Sequence, residues 1–209
     1  MKKSFKLTVF LIPIGIAINI IGGQIAMLLK LPLFLDAIGT ITVGALCGVV
    51  PGIIVGAITS LGISITNPTT LAYIGISVLW GILGAVFSKK GVFIKLWKTV
   101  LAGIGMGIIG GGLGSTISVL FFGGFGPGAT GIISGTLMSV GFPVVISSLI
   151  SEMFTDLVDK IPTVIIVYII LMSIPVRTLL KLPLGEVFIK AKQSADRKKV
   201  ESEEKNHGL

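Results

Sequence analysis

The chain of 209 residues has little charge, since Asp, Glu, Lys and Arg together make up only 12% of it. A soluble domain of this size carries about twice that fraction. The chain has one histidine, His207, and one cysteine, Cys47, which leaves no ligand set for a Cys/His metal cluster and no disulfide within the chain. It also lacks a Gly-rich loop followed by a P-loop lysine, and it has no Ser–His or Cys–His pair within its apolar part. The sequence therefore predicts no catalytic residues, no cofactor, no metal and no ATP site.

Apolar residues, in contrast, make up 53% of the chain, and the mean hydropathy is +1.03. Nearly all charge lies in the first six residues, in 89–98, in 152–160 and after residue 177, and the runs between are long enough to span a bilayer. This pattern predicts an all-α integral membrane protein of the plasma membrane, embedded in the lipid bilayer. The net charge of +8 fits basic residues at helix ends rather than a nucleic-acid partner. The N-terminal run resembles a signal peptide, but it is long enough to span and no small-residue cleavage site follows it.

Lysine and arginine predict the topology, because they favour the cytoplasmic side. They lead us to expect six transmembrane helices, both termini in the cytoplasm, and a single transmembrane domain over 1–183 followed by a charged cytoplasmic tail over 184–209. Gly141 and Pro143 interrupt the apolar segment 129–152, which is expected to be re-entrant or to lie on the outer surface. The alternative is an ordinary seventh helix with the tail outside. The expected spans lie near 5–29, 33–50, 52–66, 71–88, 99–122 and 161–181.

Glycine recurs every four residues, at 44, 48, 52 and 56 and again at 103, 107 and 111. This spacing places small residues on one helix face, where two backbones can approach closely. The stripes predict either packing within the chain or docking of a partner membrane protein. Residues 105–110 match a dinucleotide fingerprint in form only, since no strand precedes them.

Polar and aromatic residues collect toward the extracellular ends of the predicted helices, as a small-molecule pocket requires. Single residues also have simpler explanations: Asp36 as a helix cap, Tyr73 as an interfacial anchor, and the acidic residues as solvated surface. Charge within the spans is expected to be absent, which argues against an ion-coupled pump. Three outer carboxylates disfavour an anionic substrate and favour a neutral or cationic heterocycle. The predicted substrate-binding residues are Asp36, Asn67, Thr70, Tyr73, Trp80, Ser115, Glu152 and Asp156.

Several motifs together carry a family resemblance: IGIAIN at 14–19, LPLFLDAIGT at 31–40, NPT at 67–69, STISVLFFGG at 115–124 and IPVR at 174–177. In these motifs and their order the chain resembles the S components, the substrate-binding membrane subunits, of energy-coupling factor (ECF) vitamin transporters. The resemblance implies a six-helix protein that binds a vitamin or precursor near the extracellular face. It also implies partnership with an ECF membrane coupling subunit and two cytoplasmic ATPase subunits.

Such subunits dock through small residues on the first helix, and the matching positions here are Pro13, Gly15, Ala17 and Asn19, with asparagine in place of the usual alanine. Two other classes stay open. A stand-alone secondary transporter or channel would need internal repeats and buried charge, and an intramembrane enzyme would need a nucleophile and base.

Overall fold

The computed structural model describes residues 5–194, and within that range the protein is helical throughout, with no strand. Residues 185–194 are also helical. Lys2, Lys3 and residues 195–209 of the predicted tail, which include His207, lie outside the described residues. The elements are α1 (Phe5–Leu28), α2 (Ile38–Cys47), α3 (Val49–Ser64), a 3-10 turn (Pro68–Tyr73), α4 (Ile74–Lys89), a second 3-10 turn (Val92–Ile94), α5 (Leu96–Phe122), α6 (Ala129–Ser139), α7 (Val144–Ser173) and α8 (Val176–Leu179).

Three of the described segments are long and apolar enough to cross a membrane: Lys6–Leu28, Pro68–Lys89 and Leu96–Phe122. Helices α2 and α3 are apolar but shorter. Large apolar side chains cover the outside of the bundle, with Leu28 77% and Phe121 70% exposed. An apolar surface of this extent is unfavourable in water but favourable in the hydrocarbon core of a bilayer. The prediction of an all-helical chain is confirmed, and so is the prediction of helices that are long and apolar enough to cross a membrane.

Consecutive long helices run in opposite directions. Along α1 and α2, Gly15 contacts Val43 whereas Gly22 contacts Leu35, so the two helices are antiparallel. The pairs α3–α4 and α5–α7 are antiparallel by the same criterion. The ends of α2, α4 and α7 therefore lie together with the starts of α3 and α5. We call this the basic end, because Lys89, Lys95 and Arg177 are located there.

The glycine stripes pack helices against each other within the chain. A Cβ on Gly44 would lie 2.5 Å from the carbonyl oxygen of Gly81, and one on Gly52 would lie 2.7 Å from the same oxygen. Helices α2, α3 and α4 thus meet backbone to backbone. On α5, Gly111 faces Met153 of α7 with equally little room. Intramolecular packing accounts for Gly44, Gly52 and Gly56 and for the stripe on α5. Gly48 instead has a φ of +104° between α2 and α3 and no neighbour within 4 Å, so the first stripe is divided between two helices.

Helix α7 differs from the predicted layout. Gly141 adopts a left-handed conformation (φ +96°), and Pro143 precedes the first helical residue, Val144, so the 129–152 segment is divided there. From Val144 the helix continues for 30 residues to Ser173, and no break separates 152 from 161. The charges in 152–160 indicated a helix end in the sequence. In the structure they lie in the middle of a helix and face the interior.

The first part of the predicted tail packs on the basic end. The Leu184 amide donates to the carbonyl oxygen of Leu46 (3.0 Å), and Lys192 Nζ donates to that of Ile174 (2.6 Å). Phe188 is completely buried. Residues 184–194 are therefore part of the folded bundle rather than a free charged tail.

Candidate functional site

A partly open cavity of about 290 Å³ lies toward the end of the bundle opposite the basic end. The C-terminal parts of α1 and α3, the α1–α2 connection, the N-terminal half of α4 and the middle of α7 form its walls. Residues 127–129 and the first turn of α6 close it from another side. A cavity of this size fits a small metabolite.

Seven of the eight predicted substrate-binding residues line this cavity: Asp36, Asn67, Thr70, Tyr73, Trp80, Glu152 and Asp156. The eighth, Ser115, does not. It is buried, and its carbonyl oxygen faces Ser148 of α7 (3.5 Å), while the preceding residue, Gly114, lines the cavity instead. One residue along a helix turns the side chain by about 100°, which explains the difference.

Glu152 is held by a chain of hydroxyl groups. Ser118 Oγ donates to Glu152 Oε1 (2.5 Å) and lies 2.7 Å from the Tyr73 hydroxyl. Because the Ser118 proton goes to the carboxylate, Tyr73 must donate to Ser118. The Tyr73 ring stacks on Phe122, with centroids 6.2 Å apart and planes 8° from parallel. These contacts hold the Tyr73 hydroxyl and the Glu152 carboxylate close together, on either side of the Ser118 hydroxyl.

Lys160 is the centre of a second cluster. It is 1% exposed and pairs with Asp159 and, at 3.5 Å, with Asp156. Its ammonium group also lies over the rings of Phe34 (5.7 Å) and Trp80 (5.3 Å), where the negative faces of the rings stabilise it. An ion that is buried this deeply needs such partners to offset its lost hydration.

Asp159 connects this cluster to the α1–α2 connection, which forms part of the cavity wall. Its Oδ1 accepts hydrogen bonds from the amides of Phe34 (2.9 Å) and Leu35 (2.8 Å), and Leu35 is left-handed (φ +52°). The loop that carries Phe34 and Asp36 is thereby fixed to α7. Asp36 does not cap α2, because Ala37 holds the cap position and no side chain bonds there. The carboxylate of Asp36 lines the cavity instead.

Glycines on α5 make room for the acidic residues of α7. A Cβ on Gly110 would lie 2.6 Å from Asp156 Oδ2 and 2.9 Å from the Trp80 ring, and one on Gly114 would lie 3.2 Å from Glu152 Oε2. The glycines and the acids share the same spacing of four residues, so each carboxylate lies opposite one glycine. Any larger residue at 110 would displace a charged group.

The buried charge overturns two predictions. Glu152, Asp156 and Asp159 are at most 6% exposed, so they are not a solvated acidic surface. Charge is also not confined to the ends of the helices. Asp159 and Lys160 were not predicted as site residues, although a lysine four residues after Asp156 is the spacing of a helical ion pair. Phe34, Ser60, Ser77 and Thr155 are among the further residues that line the cavity.

The four predicted docking residues point in two directions. Pro13 and Ala17 are exposed, whereas Gly15 and Asn19 are buried against α2 and α3. Asn19 donates to Thr40 Oγ1 (2.8 Å) and Thr59 Oγ1 (3.1 Å) and accepts from the Gly39 amide (2.6 Å). Gly15 and Asn19 therefore hold the bundle together and are not available to a partner.

Within residues 5–194, no group of three or more His, Cys, Asp or Glu side chains is arranged to hold a metal ion. In comparisons with family models, curated proteins and solved structures, none matches this chain.

Proposed function

We propose that the chain is the substrate-binding subunit of an ATP-driven, ECF-type importer for a vitamin or a related small metabolite. The observation that carries the proposal is this cavity, around which seven of the residues that the sequence predicts for substrate binding lie together. Aromatic rings, hydroxyl groups and carboxylates converge there, as they do in sites that bind small polar molecules. Delivery across the membrane is assigned to a separate coupling subunit and two ATPases, because the sequence has no nucleotide-binding motif.

The basic end is assigned to the cytoplasm, since Lys89, Lys90, Lys95, Lys98 and Arg177 are located there. Six helices that alternate in direction then cross the membrane, and the cavity opens toward the outside. Both ends of the described chain lie at the basic end, which agrees with cytoplasmic termini.

The docking surface for the coupling subunit is assigned to the outer face of α1. Pro13 and Ala17 are exposed and four residues apart, so a second helix can approach closely there. This half of the docking prediction agrees with the placement of the residues.

Native mass spectrometry of the purified protein tests binding. A small metabolite that remains bound, and that is lost when Trp80 is changed to alanine, supports the proposal. Co-purification with two ATPase subunits tests the assembly. A chain that retains no metabolite and isolates without ATPases would contradict it.

A stand-alone secondary transporter is the second candidate, and the buried charge of α7 favours it. Glu152, Asp156, Asp159 and Lys160 lie within one helix beside the cavity, and such residues in membrane helices mark ion and proton pathways. The two candidates differ in one measurement. Proteoliposomes that contain only this chain accumulate substrate under an imposed pH gradient if it is a secondary transporter, and do not if it needs ATPases.

A further inference from the structure

The walls of the cavity carry an excess of negative charge. Among the described residues, four carboxylates lie in or directly behind them, Asp36, Glu152, Asp156 and Asp159, and the one buried cation is Lys160, which pairs with Asp156 and Asp159. When all five groups are ionised, their net charge is −3. Lys30 also lines the cavity, but it is exposed to the outside. Uncompensated charge is costly away from water, so protons or a bound cation must balance it.

Within residues 5–194, hydrogen bonds and ion pairs satisfy only part of this group. Lys160 binds Asp159 and one oxygen of Asp156, and Ser118 binds one oxygen of Glu152. Glu152 Oε2 accepts no hydrogen bond from a described residue, and it faces Gly114, which also lines the cavity.

A second observation is independent of the acids. The Thr155 hydroxyl is buried and has no hydrogen-bond partner among the described residues, and Thr155 lines the same cavity. Buried hydroxyl groups in folded proteins are nearly always satisfied, by protein, water or ligand. The unpaired Thr155 hydroxyl points to a ligand with a polar edge, and the carboxylates of Glu152 and Asp156 on the same helix favour hydrogen-bond donors or positive charge on that ligand.

The aromatic residues favour the same ligand. Lys160 already uses the faces of Phe34 and Trp80 to stabilise its own positive charge. The half-buried ring of Tyr73 also lines the cavity. Ring faces and carboxylates both attract cations, and both would repel an anion.

We infer that the compound that the cavity binds carries a positive charge on or beside a small ring, and that this charge lies against Glu152 and Asp156. The inference rests on the proposed substrate-binding function. Thr155 then supplies one hydrogen bond at the edge of the ring, and Lys160 remains with Asp159. Strongly anionic compounds, such as phosphorylated metabolites, are excluded from the cavity.

Three probes of matched size test the sign of the charge. They are 4-(hydroxymethyl)-1-methylpyridinium (cation), 4-methylbenzyl alcohol (neutral) and 4-(hydroxymethyl)benzoate (anion). Their binding to the full chain in lipid nanodiscs is measured by ligand-observed NMR titration. We expect the cation to bind at least about tenfold tighter than the neutral probe, a difference of about 1.4 kcal/mol, because the carboxylates and the ring faces attract its positive charge.

Two variants locate the charge. Glu152→Gln keeps an oxygen for Ser118, and Asp156→Asn leaves Lys160 paired with Asp159. Each should remove most of the preference for the cation and leave the affinity for the neutral probe within about twofold. Lys30→Gln removes the exposed cation of the lining, and the cation should remain the tightest-binding probe. Lys190→Gln, which removes an exposed lysine at the basic end, is the control and should leave the preference unchanged. Labelling of Cys47 with a thiol reagent checks that each variant remains folded, since this single cysteine is buried.

The outcomes separate the inference from the proposed function. If the neutral or the anionic probe binds as tightly as the cation, or if both acidic variants keep the preference, the inference of a cationic substrate is wrong while the cavity remains a binding site. Anion binding that is lost in Lys30→Gln would also overturn it. If none of the three probes binds to the wild-type protein, substrate binding in this cavity fails together with the inference.

Discussion

Replacing Asn19 with alanine removes the polar contact that joins three helices. Its amide donates to Thr40 on α2 and Thr59 on α3 and accepts from the Gly39 backbone, and the side chain is fully buried. Hydrogen bonds between membrane helices contribute about 0.6 kcal/mol each on average. Loss of three of them, with one backbone amide left unsatisfied, should lower the free energy of unfolding by about 2–3 kcal/mol. That corresponds to roughly a 30- to 150-fold increase in the population of open protein.

The single cysteine provides the assay. Cys47 is 6% exposed at the end of α2, so a thiol-reactive dye labels it only when the bundle opens. When opening and closing are fast, the labelling rate reports the equilibrium population of the open state. The rate should rise with Asn19→Ala by the same factor as the population.

The matched control is Gln24→Ala on the same helix. Gln24 makes one hydrogen bond, to Thr66 (2.7 Å), at an exposed position, and its loss should change labelling by about twofold or less. If Asn19→Ala labels no faster than Gln24→Ala, the bundle does not depend on this contact. If Asn19→Ala instead stays stable and loses only its partner subunits, Asn19 is a docking residue as the family resemblance implies.

Three further changes test other parts of the structure. Gly110→Ala should weaken retention of the co-purified metabolite by about tenfold, because its Cβ would displace a carboxylate and the Trp80 ring; Gly112→Ala, which has no neighbour within 4 Å, should not, and equal effects would contradict the packing. Ala17→Trp on the exposed face of α1 should abolish uptake in the full transport complex and leave metabolite retention unchanged, and normal uptake would place the docking surface elsewhere. Phe188→Ala should cost about 3 kcal/mol of stability in the labelling assay, against less than about 0.5 kcal/mol for the exposed Lys190→Ala, and a loss as small as the control would show that the 185–194 helix does not stabilise the bundle.

The sequence predicts the first half of the chain well because hydropathy and turn residues act locally. Pro68 and Asn67 mark the end of α3, and the glycine stripe predicts close helix packing without long-range information. Helix α7 is harder to predict. Four charged residues within an apolar run usually indicate that a membrane helix ends there and the chain enters water. Only the three-dimensional contacts show that Lys160 and its partners satisfy one another inside the bundle.

The candidate site, like the fold, is only partly predictable from the sequence. Residues such as Tyr73 and Trp80 can be selected by chemistry and helical spacing, and both line the cavity. Asn19 was assigned to the outer surface by family resemblance alone. The polarity of the Asn19 side chain favours a position that faces the interior, because a polar amide in an apolar helix is stabilised by contact with other helices rather than with lipid. Asp159 could not be found from sequence, since its partners are backbone amides more than a hundred residues earlier in the chain.

The contact among Gly44, Gly52 and Gly81 has a consequence for how the cavity can change shape. Backbone surfaces that touch without side chains have no rotamers to freeze, so this contact between α2, α3 and α4 costs no side-chain conformational entropy. At this contact no flexible side chain lies between the helices that could adjust if they shifted against one another. These three helices should therefore move as one rigid body. The wall of the cavity that carries Ser60, Ser77 and Trp80 is then a fixed template, and any widening to admit a molecule must come from the loop around Phe34 or from the segment between α5 and α7.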